Sequence, residues 1–164
     1  MSTTDPNPLR LRPDQTAELS EHAQLAIEAF RTTLSVAAQL RAAMDKRLRE
    51  DGLTTQQAAL ITVVDAAGSP SLSDAAAALA CSRQNLKQIA SALERKGFLE
   101  LVPDPDDART TRIVTTPRSR AYWSTRDTSD ADAVTSWFSP LSPADLRTLL
   151  DSLNQVLAQL KADD

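Results

Sequence analysis

The chain has 164 residues, 18 of them basic and 22 acidic, so its net charge at neutral pH is −4. This length suits one compact domain with extensions, and the single cysteine, Cys81, excludes an internal disulfide and a cysteine-built metal site. No long uninterrupted apolar run occurs, and the first residues lack the basic start and apolar stretch of a signal peptide. The sequence therefore predicts a cytoplasmic protein that does not contact a membrane.

The charge is unevenly distributed along the chain. Residues 82–120 include eight basic and five acidic side chains and sum to +3, whereas the ten basic and seventeen acidic side chains elsewhere sum to −7. A local excess of basic residues attracts polyanions even when the net charge is negative. One face of the protein is therefore expected to carry positive potential.

The N-terminal part of the sequence predicts a flexible arm followed by one long helix. Residues 1–13 are rich in Pro, Thr and Asp and are expected to form the arm. From about Asp14 to Glu50 apolar residues recur at helical spacing, and Gly52 is expected to end the helix. One small core cannot cover so long an apolar stripe, so we expect a partner chain to pack on it, with Leu19 in the interface.

Three shorter helices are predicted next, each opened by a capping residue. Thr54 with Gln57, and Ser71 with Asp74, have the spacing of capping boxes, and Ser82 is the expected N-cap of the third of these helices. Their predicted ends lie before Gly68, near Leu79 and at Lys96. A tight turn over residues 79–82 separates the last two.

Two short strands, 98–102 and 112–115, are joined by a loop rich in Pro and Asp and predict a hairpin. Thr116-Pro117 and Ser142-Pro143 then carry the start signals of two further helices, the first running to about Phe138. The last helix has an apolar stripe that we expect in a dimer interface: Leu146, Leu149, Leu150, Leu153 and Leu157.

This order of elements predicts an α+β, mostly helical fold, namely a winged helix-turn-helix with long N- and C-terminal dimerisation helices. Residues 53–116 would form the winged lobe, and residues 14–52 with 117–164 the dimerisation region. A helix-turn-helix places its second helix in the major groove of DNA. The pattern therefore indicates a protein that binds double-stranded DNA.

The first two turns of the fourth helix carry polar side chains suited to reading base edges, since Arg pairs with guanine and Gln or Asn with adenine. The alternative is that these residues only solvate an exposed helix face. The hairpin favours DNA contact, because a tip arginine such as Arg109 suits a narrow minor groove. A salt bridge from Arg109 to Asp106 or Asp107 would be compatible with that role. The predicted DNA contacts are Ser71, Ser82, Arg83, Gln84, Asn85, Lys87, Gln88, Arg109 and Arg112.

Three segments together resemble the multiple-antibiotic-resistance regulator (MarR) family. They are the run from Ser82 to Leu99 with its Leu-Glu-Arg-Lys-Gly helix end, the Asp-Pro-Asp-Asp-Ala-Arg stretch 104–109, and residues 113–116. The resemblance implies a homodimeric transcriptional regulator, of repressor type, that binds a palindromic operator and is relieved by a small-molecule effector. It also implies that Arg109 reaches DNA and that the terminal helices interlock. Ala108 departs from the family, which often has a second basic residue there.

Other functions receive less support from the sequence. No nucleophile-elbow, phosphate-loop or dinucleotide-binding glycine pattern occurs, so we predict neither an enzyme nor a cofactor, and one His with one Cys argues against a metal site. An aromatic or anionic effector is expected near His22, Phe30 or the second helix. Cys81 is expected to pack in the turn as a small apolar residue, the alternative being a redox sensor. The runner-up function is a winged-helix protein-interaction module that has lost DNA binding, which the acidic net charge and Ala108 would favour.

Overall fold

The computed structural model describes residues 18–107 and 109–162, and it confirms the predicted fold class, mostly helical with a small antiparallel two-stranded sheet. The elements are α1 (Glu21–Leu48), a 3-10 turn (Arg49–Asp51), α2 (Thr55–Ala67), α3 (Leu72–Ala78), α4 (Arg83–Arg95), β1 (Leu99–Pro103), β2 (Thr111–Thr115), α5 (Pro117–Trp137) and α6 (Pro143–Ala162). The chain divides into two compact units that meet between Val114 and Thr115. In the described residues, no helix combines the length and the hydrophobicity needed to cross a lipid bilayer.

Hydrogen bonds confirm the predicted starts of α2 to α6. Thr54 forms a capping box with Gln57, and Ser71 forms one with Asp74. In each box the hydroxyl of the first residue accepts from the backbone amide of the second, and the side chain of the second accepts from the backbone amide of the first. The Ser82 hydroxyl accepts from the Asn85 amide at 3.2 Å. Side-chain hydroxyls also cap the remaining helices: Ser20, Thr116 and Ser142. Local sequence therefore fixes where each helix begins.

The start of α1 differs from the prediction. The Ser20 hydroxyl accepts a hydrogen bond from the Ala23 amide, which makes Ser20 the N-cap and leaves Leu19 in the turn before the helix. Leu19 is thus not on the helical stripe where we expected it. The predicted arm, residues 1–13, and the predicted helix start at Asp14 lie outside the described residues. At its other end α1 runs into the 3-10 turn, and Gly52, with a φ of 67°, ends it as predicted.

The core of the first unit is built from leucine, isoleucine and valine side chains of α1 to α4 and the hairpin. Leu48, Leu60, Leu86, Leu93 and Ile113 are completely buried. Each buried aliphatic side chain stabilises the fold by about 1.5–3 kcal/mol relative to an exposed one. The apolar face of α4 is thus packed into the core, and its position relative to α2, α3 and β1 is fixed.

Polar contacts tie the end of α4 to the junction between α1 and α2. The Lys96 ammonium donates to the Gly52 carbonyl and, at 3.0 Å, to Gln57 Oε1. On the other side of the junction, Asp45 Oδ1 accepts from the Thr55 amide at 2.6 Å and from the Thr55 hydroxyl at 2.7 Å. These two hydrogen bonds from Thr55 hold the pKa of Asp45 below its ordinary value. Hydrogen bonds therefore connect the junction both to the end of α4, through Lys96, and to α1, through Asp45.

The second unit consists of α5 and α6. The described part of α6 has no buried residue, and its leucine stripe includes Leu150 at 58% exposure and Leu157 at 50%. An apolar groove of about 460 Å³ lies between the end of α5 and the start of α6. Its lining includes Val134, Phe138, Leu141, Leu146, Leu149, Leu150 and Leu153. Large apolar side chains are thus left in solvent on this unit.

Candidate nucleic-acid interface

A tight turn joins α3 to α4. The Leu79 amide donates to the Ala75 carbonyl at 3.1 Å and the Cys81 amide to the Ala76 carbonyl at 3.0 Å, so the turn closes directly on the last turn of α3. Ala80 has a φ of 47°, in the left-handed region that non-glycine residues seldom adopt. This single left-handed residue lets the chain leave α3 and begin α4 within four residues, as a helix-turn-helix requires.

The side chains of α4 divide into an apolar and a polar face. Leu86, Ala90 and Leu93 are completely buried against the core. The opposite face presents the predicted base-reading residues. Asn85 is half-buried, and the other four are exposed: Arg83, Gln84, Lys87 and Gln88. Ser82 is also exposed, and its hydroxyl keeps a donor hydrogen while it caps the helix. The exposed face of α4 is therefore rich in hydrogen-bond donors.

The loop between β1 and β2 is held by hydrogen bonds within the hairpin. The Asp104 amide donates to the Thr110 carbonyl at 2.9 Å, and the Thr110 amide donates to the Asp107 carbonyl at 2.8 Å. The Asp107 carboxylate accepts from the Arg109 amide at 3.0 Å and from the Thr110 hydroxyl at 2.9 Å. These contacts set the direction in which the backbone presents Arg109.

Arg109 lies exposed at the tip of this loop. Within residues 18–107 and 109–162 its guanidinium has no ion-pair partner, and its contact with Asp107 is made by the backbone amide. The salt bridge considered for Arg109 is thus not formed among these residues. A cation without an internal partner is available for an external anion.

Two other predicted contacts have partners inside the protein. The Ser71 hydroxyl donates to Asp74 Oδ2 at 2.7 Å and accepts from the Asp74 amide at 3.1 Å. Arg112 pairs with Asp104 through Nε and donates from Nη1 to the Ser69 carbonyl at 3.0 Å. The Arg112 guanidinium is the main reason that the pKa of Asp104 lies below its ordinary value. The roles of Ser71 and Arg112 in DNA contact remain predictions.

A cleft of about 640 Å³ separates α4 from the hairpin. It brings Arg83, Gln84 and Lys87 of α4 together with Thr110 and Thr111 of the hairpin, above an apolar wall that includes Leu101 to Pro103. The two threonines were not predicted as site residues. Their place directly after Arg109 is the signal that could have identified them, since both residues follow a predicted DNA contact along the chain.

The predicted effector contacts lie on α1, where His22 is exposed and Phe30 is 63% exposed. Their role stays a prediction. Cys81 is half-buried and, with Leu79, Ile89 and neighbours from α1 and α2, lines a small cavity of about 150 Å³. Within the described residues, no group of three or more His, Cys, Asp or Glu side chains could hold a metal ion.

Residues 51–110, which include α2 to α4 and most of the hairpin, match the sequence model of the MarR family. Over this segment the chain is similar to the MarR family. A curated relative, the transcriptional activatory protein BadR of Rhodopseudomonas palustris, is 32% identical over 103 residues, which cover 61% of this chain and 59% of BadR. The chain thus spans about three fifths of the length of this MarR-type relative.

Solved MarR structures share the fold. AbsC, a MarR family transcriptional regulator from Streptomyces coelicolor, superimposes with a TM-score of 0.75 at 22% identity, covering 88% of this chain and 97% of AbsC. A cysteine-mutant MarR from E. coli, complexed with operator DNA, superimposes with a TM-score of 0.74 at 19% identity, covering 84% of this chain and 99% of that one. At these identities the comparison establishes the winged-helix fold.

Proposed function

We propose that this protein is a sequence-specific, double-stranded DNA-binding transcriptional regulator that acts as a homodimer. The observation that carries the proposal is the arrangement around the 640 Å³ cleft. The exposed polar face of α4 lines one side and the hairpin lines the other, and the guanidinium of Arg109, next to the lining residue Thr110, has no ion-pair partner within residues 18–107 and 109–162. The match of residues 51–110 to the MarR family and the operator complex of E. coli MarR support the same function.

In the proposed complex, α4 enters the major groove and the hairpin lies over the adjacent minor groove. Arg83, Gln84 and Asn85 sit in the first turn of α4, where a recognition helix meets base edges. Arg109 would insert into the minor groove, where groove width and A·T content are read. The phosphate backbone between the grooves would pass along the cleft, within reach of Lys87 and Thr110.

The second unit supports dimerisation. Exposed large apolar side chains such as Leu150 and Leu157 are costly for a monomer, because contiguous apolar patches normally mark interaction surfaces. A two-fold dimer would bury this stripe and the apolar groove beside it. Two copies of α4 would then enter successive major grooves, so the operator should be a palindrome with half-site centres about 10 base pairs apart.

We propose repression as the direction of regulation, because a dimer that covers two half-sites would exclude other proteins from the same DNA. BadR is named as an activatory protein, so activation is the competing outcome. A reporter gene placed downstream of the selected operator separates the two. Reporter output that falls when the protein is produced supports repression, and output that rises supports activation.

We also propose that a small molecule modulates DNA binding. Two buried polar atoms on α5, Ser119 Oγ and Trp123 Nε1, have no hydrogen-bond partner within the described residues and lie one helical turn apart. Buried polar groups are costly without partners, so a carboxylate or phenol oxygen accepting from them would be stabilised there. Titration of aromatic acids against tryptophan fluorescence, with Trp123→Phe as the comparison, tests this site separately from His22 and Phe30.

Selection from a pool of random DNA duplexes tests the main proposal, followed by titration of variants on the enriched sequence. Arg83→Ala should cost about 1–3 kcal/mol per half-site and relax preference at particular base pairs. Arg109→Ala should weaken binding to all sequences and reduce the salt slope by about one unit per arginine lost. Arg95→Ala, at the opposite end of α4 from Arg83, removes the same charge outside the cleft and should change neither.

The runner-up function makes the opposite prediction. A winged-helix protein-interaction module would enrich no sequence from the pool, and Arg109→Ala would leave any residual DNA affinity and its salt dependence unchanged. That combination of results would replace the DNA-binding proposal.

A further inference from the structure

Arg112 occupies an unusual position among the basic residues around the cleft. Its side chain is 39% exposed, yet two of its donors have partners inside the protein. Nε pairs with Asp104 at the start of the hairpin loop, and Nη1 donates to the Ser69 carbonyl at 3.0 Å. Ser69 lies between α2 and α3, 43 residues away in sequence. One guanidinium thus bridges the hairpin and the segment that leads into the helix-turn-helix.

On the hairpin side, Asp104 relays this contact to the loop. Its side chain is only 5% exposed, and Oδ1 accepts from the amides of Asp106 at 2.8 Å and Asp107 at 3.1 Å. Asp107 in turn accepts from the Arg109 amide at 3.0 Å. A continuous series of hydrogen bonds therefore runs from Arg112 through two carboxylates to the backbone of Arg109.

On the helix side, backbone contacts accompany the side-chain bridge. The Ile113 amide donates to the Pro70 carbonyl at 3.0 Å, and Ser71 forms an isolated antiparallel bridge with Arg112. Ser71 is also the N-cap of α3. The bridge consequently ends at the first residue of the helix-turn-helix.

We propose that Arg112 is a positioning residue that fixes the hairpin loop relative to the helix-turn-helix, and that it acts on DNA through Arg109 instead of contacting phosphates itself. The inference rests on the proposed DNA-binding function. A guanidinium is suited to this task because its planar donors reach two acceptors in fixed directions, whereas a lysine ammonium is a point charge on a flexible stem. Arg112→Lys should therefore keep the charge and lose the bridge.

Hydrogen exchange on the free protein tests the bridge without DNA. In Arg112→Lys the amides of Asp106 and Asp107 should exchange at least about tenfold faster, because their carboxylate acceptor is no longer held. Amides of α4 should be unaffected. Asp104→Asn breaks the bridge from the other side and should give the same pattern, while Arg95→Lys at the end of α4 is the control. Unchanged exchange in the loop of both bridge variants would overturn the proposal.

Titration on the selected operator then tests how Arg112 acts. Arg112→Lys should reduce affinity about as much as Arg109→Ala, on the order of tenfold per half-site, and adding it to Arg109→Ala should cause no further loss. Additive losses, or wild-type affinity in Arg112→Lys with a loss in Arg112→Met, would identify a direct phosphate contact and refute the positioning role. If the wild-type protein binds no DNA, the proposed function fails, and the exchange measurement still decides whether the bridge exists.

Discussion

Replacement of Lys96 by methionine tests whether the end of α4 is tied to the junction between α1 and α2. The Lys96 ammonium donates to the Gly52 carbonyl and to Gln57 Oε1, and methionine keeps the length of the side chain while removing both donors. Gln57 is buried, so the loss leaves its carbonyl oxygen with the longer hydrogen bond from the Thr54 amide, at 3.3 Å.

The expected loss of stability follows from these contacts. Hydrogen bonds from a charged donor contribute about 1.5–3 kcal/mol each when buried. Lys96 is half-buried, and the Gly52 carbonyl that loses its partner belongs to an exposed residue that water can reach. We therefore expect a total loss of about 1–2 kcal/mol, which for a chain of this size lowers Tm by about 2–8 °C.

Urea unfolding followed by circular dichroism measures this loss, at one protein concentration because the proposed dimerisation would contribute to apparent stability. Lys87→Met is the matched control, since Lys87 is exposed on the same helix. It should change the free energy of unfolding by no more than about 0.5 kcal/mol. Equal unfolding midpoints for the two variants would show that the Lys96 contacts do not stabilise the fold, and the reasoning would fail.

Two further substitutions probe other parts of the molecule. Leu157→Glu places a charge in the apolar stripe of α6 and should shift the protein toward monomer in analytical ultracentrifugation. Gln155→Glu, on the far side of the helix, is the control and should leave the dimer intact. Equal sedimentation of the two variants would argue against an α6 interface. Because the folded-state pKa of Asp45 is lowered by its hydrogen bonds from Thr55, its ionised form stabilises the fold above the ordinary pKa of 3.8, and this contribution is lost as the pH falls through the lowered value. Asp45→Asn should lack this pH-dependent contribution, so its free energy of unfolding should depend less on pH below about 4 than that of the wild type. Parallel plots of unfolding free energy against pH for the two proteins would contradict a stabilising role of the Asp45 carboxylate.

Features governed by local sequence were predictable in this chain. Capping residues such as Thr54, Ser71 and Ser82 lie where helices begin, because their hydroxyls satisfy amides two or three residues away. The polar face of α4 and the loop carrying Arg109 were likewise visible, since both depend on contiguous residues. Prediction of the helix-turn-helix and the hairpin therefore required no knowledge of tertiary contacts.

Features that depend on distant residues were not predictable. Arg112 was grouped with the DNA contacts because its charge and its place in the hairpin suggested that role, whereas its partner at Ser69 is 43 residues away. The hydrogen bonds of Lys96 to Gly52 and Gln57 depend in the same way on packing between helices. The start of α1 was misplaced for another reason: it was taken from apolar periodicity, which does not mark the capping residue, here Ser20.

The shape of α1 has a mechanical consequence. The helix has 28 residues and is thus about 42 Å long, and its one buried side chain, Leu48, lies at the C-terminal end, where Asp45 also fastens the helix to Thr55. A tilt of about 5° at that fastened end displaces the opposite end by about 4 Å. If α1 moves as a rigid rod, a displacement of this size near Ser20 would correspond to only a small rotation at the junction, where Gly52 accepts the hydrogen bond from Lys96 at the end of α4.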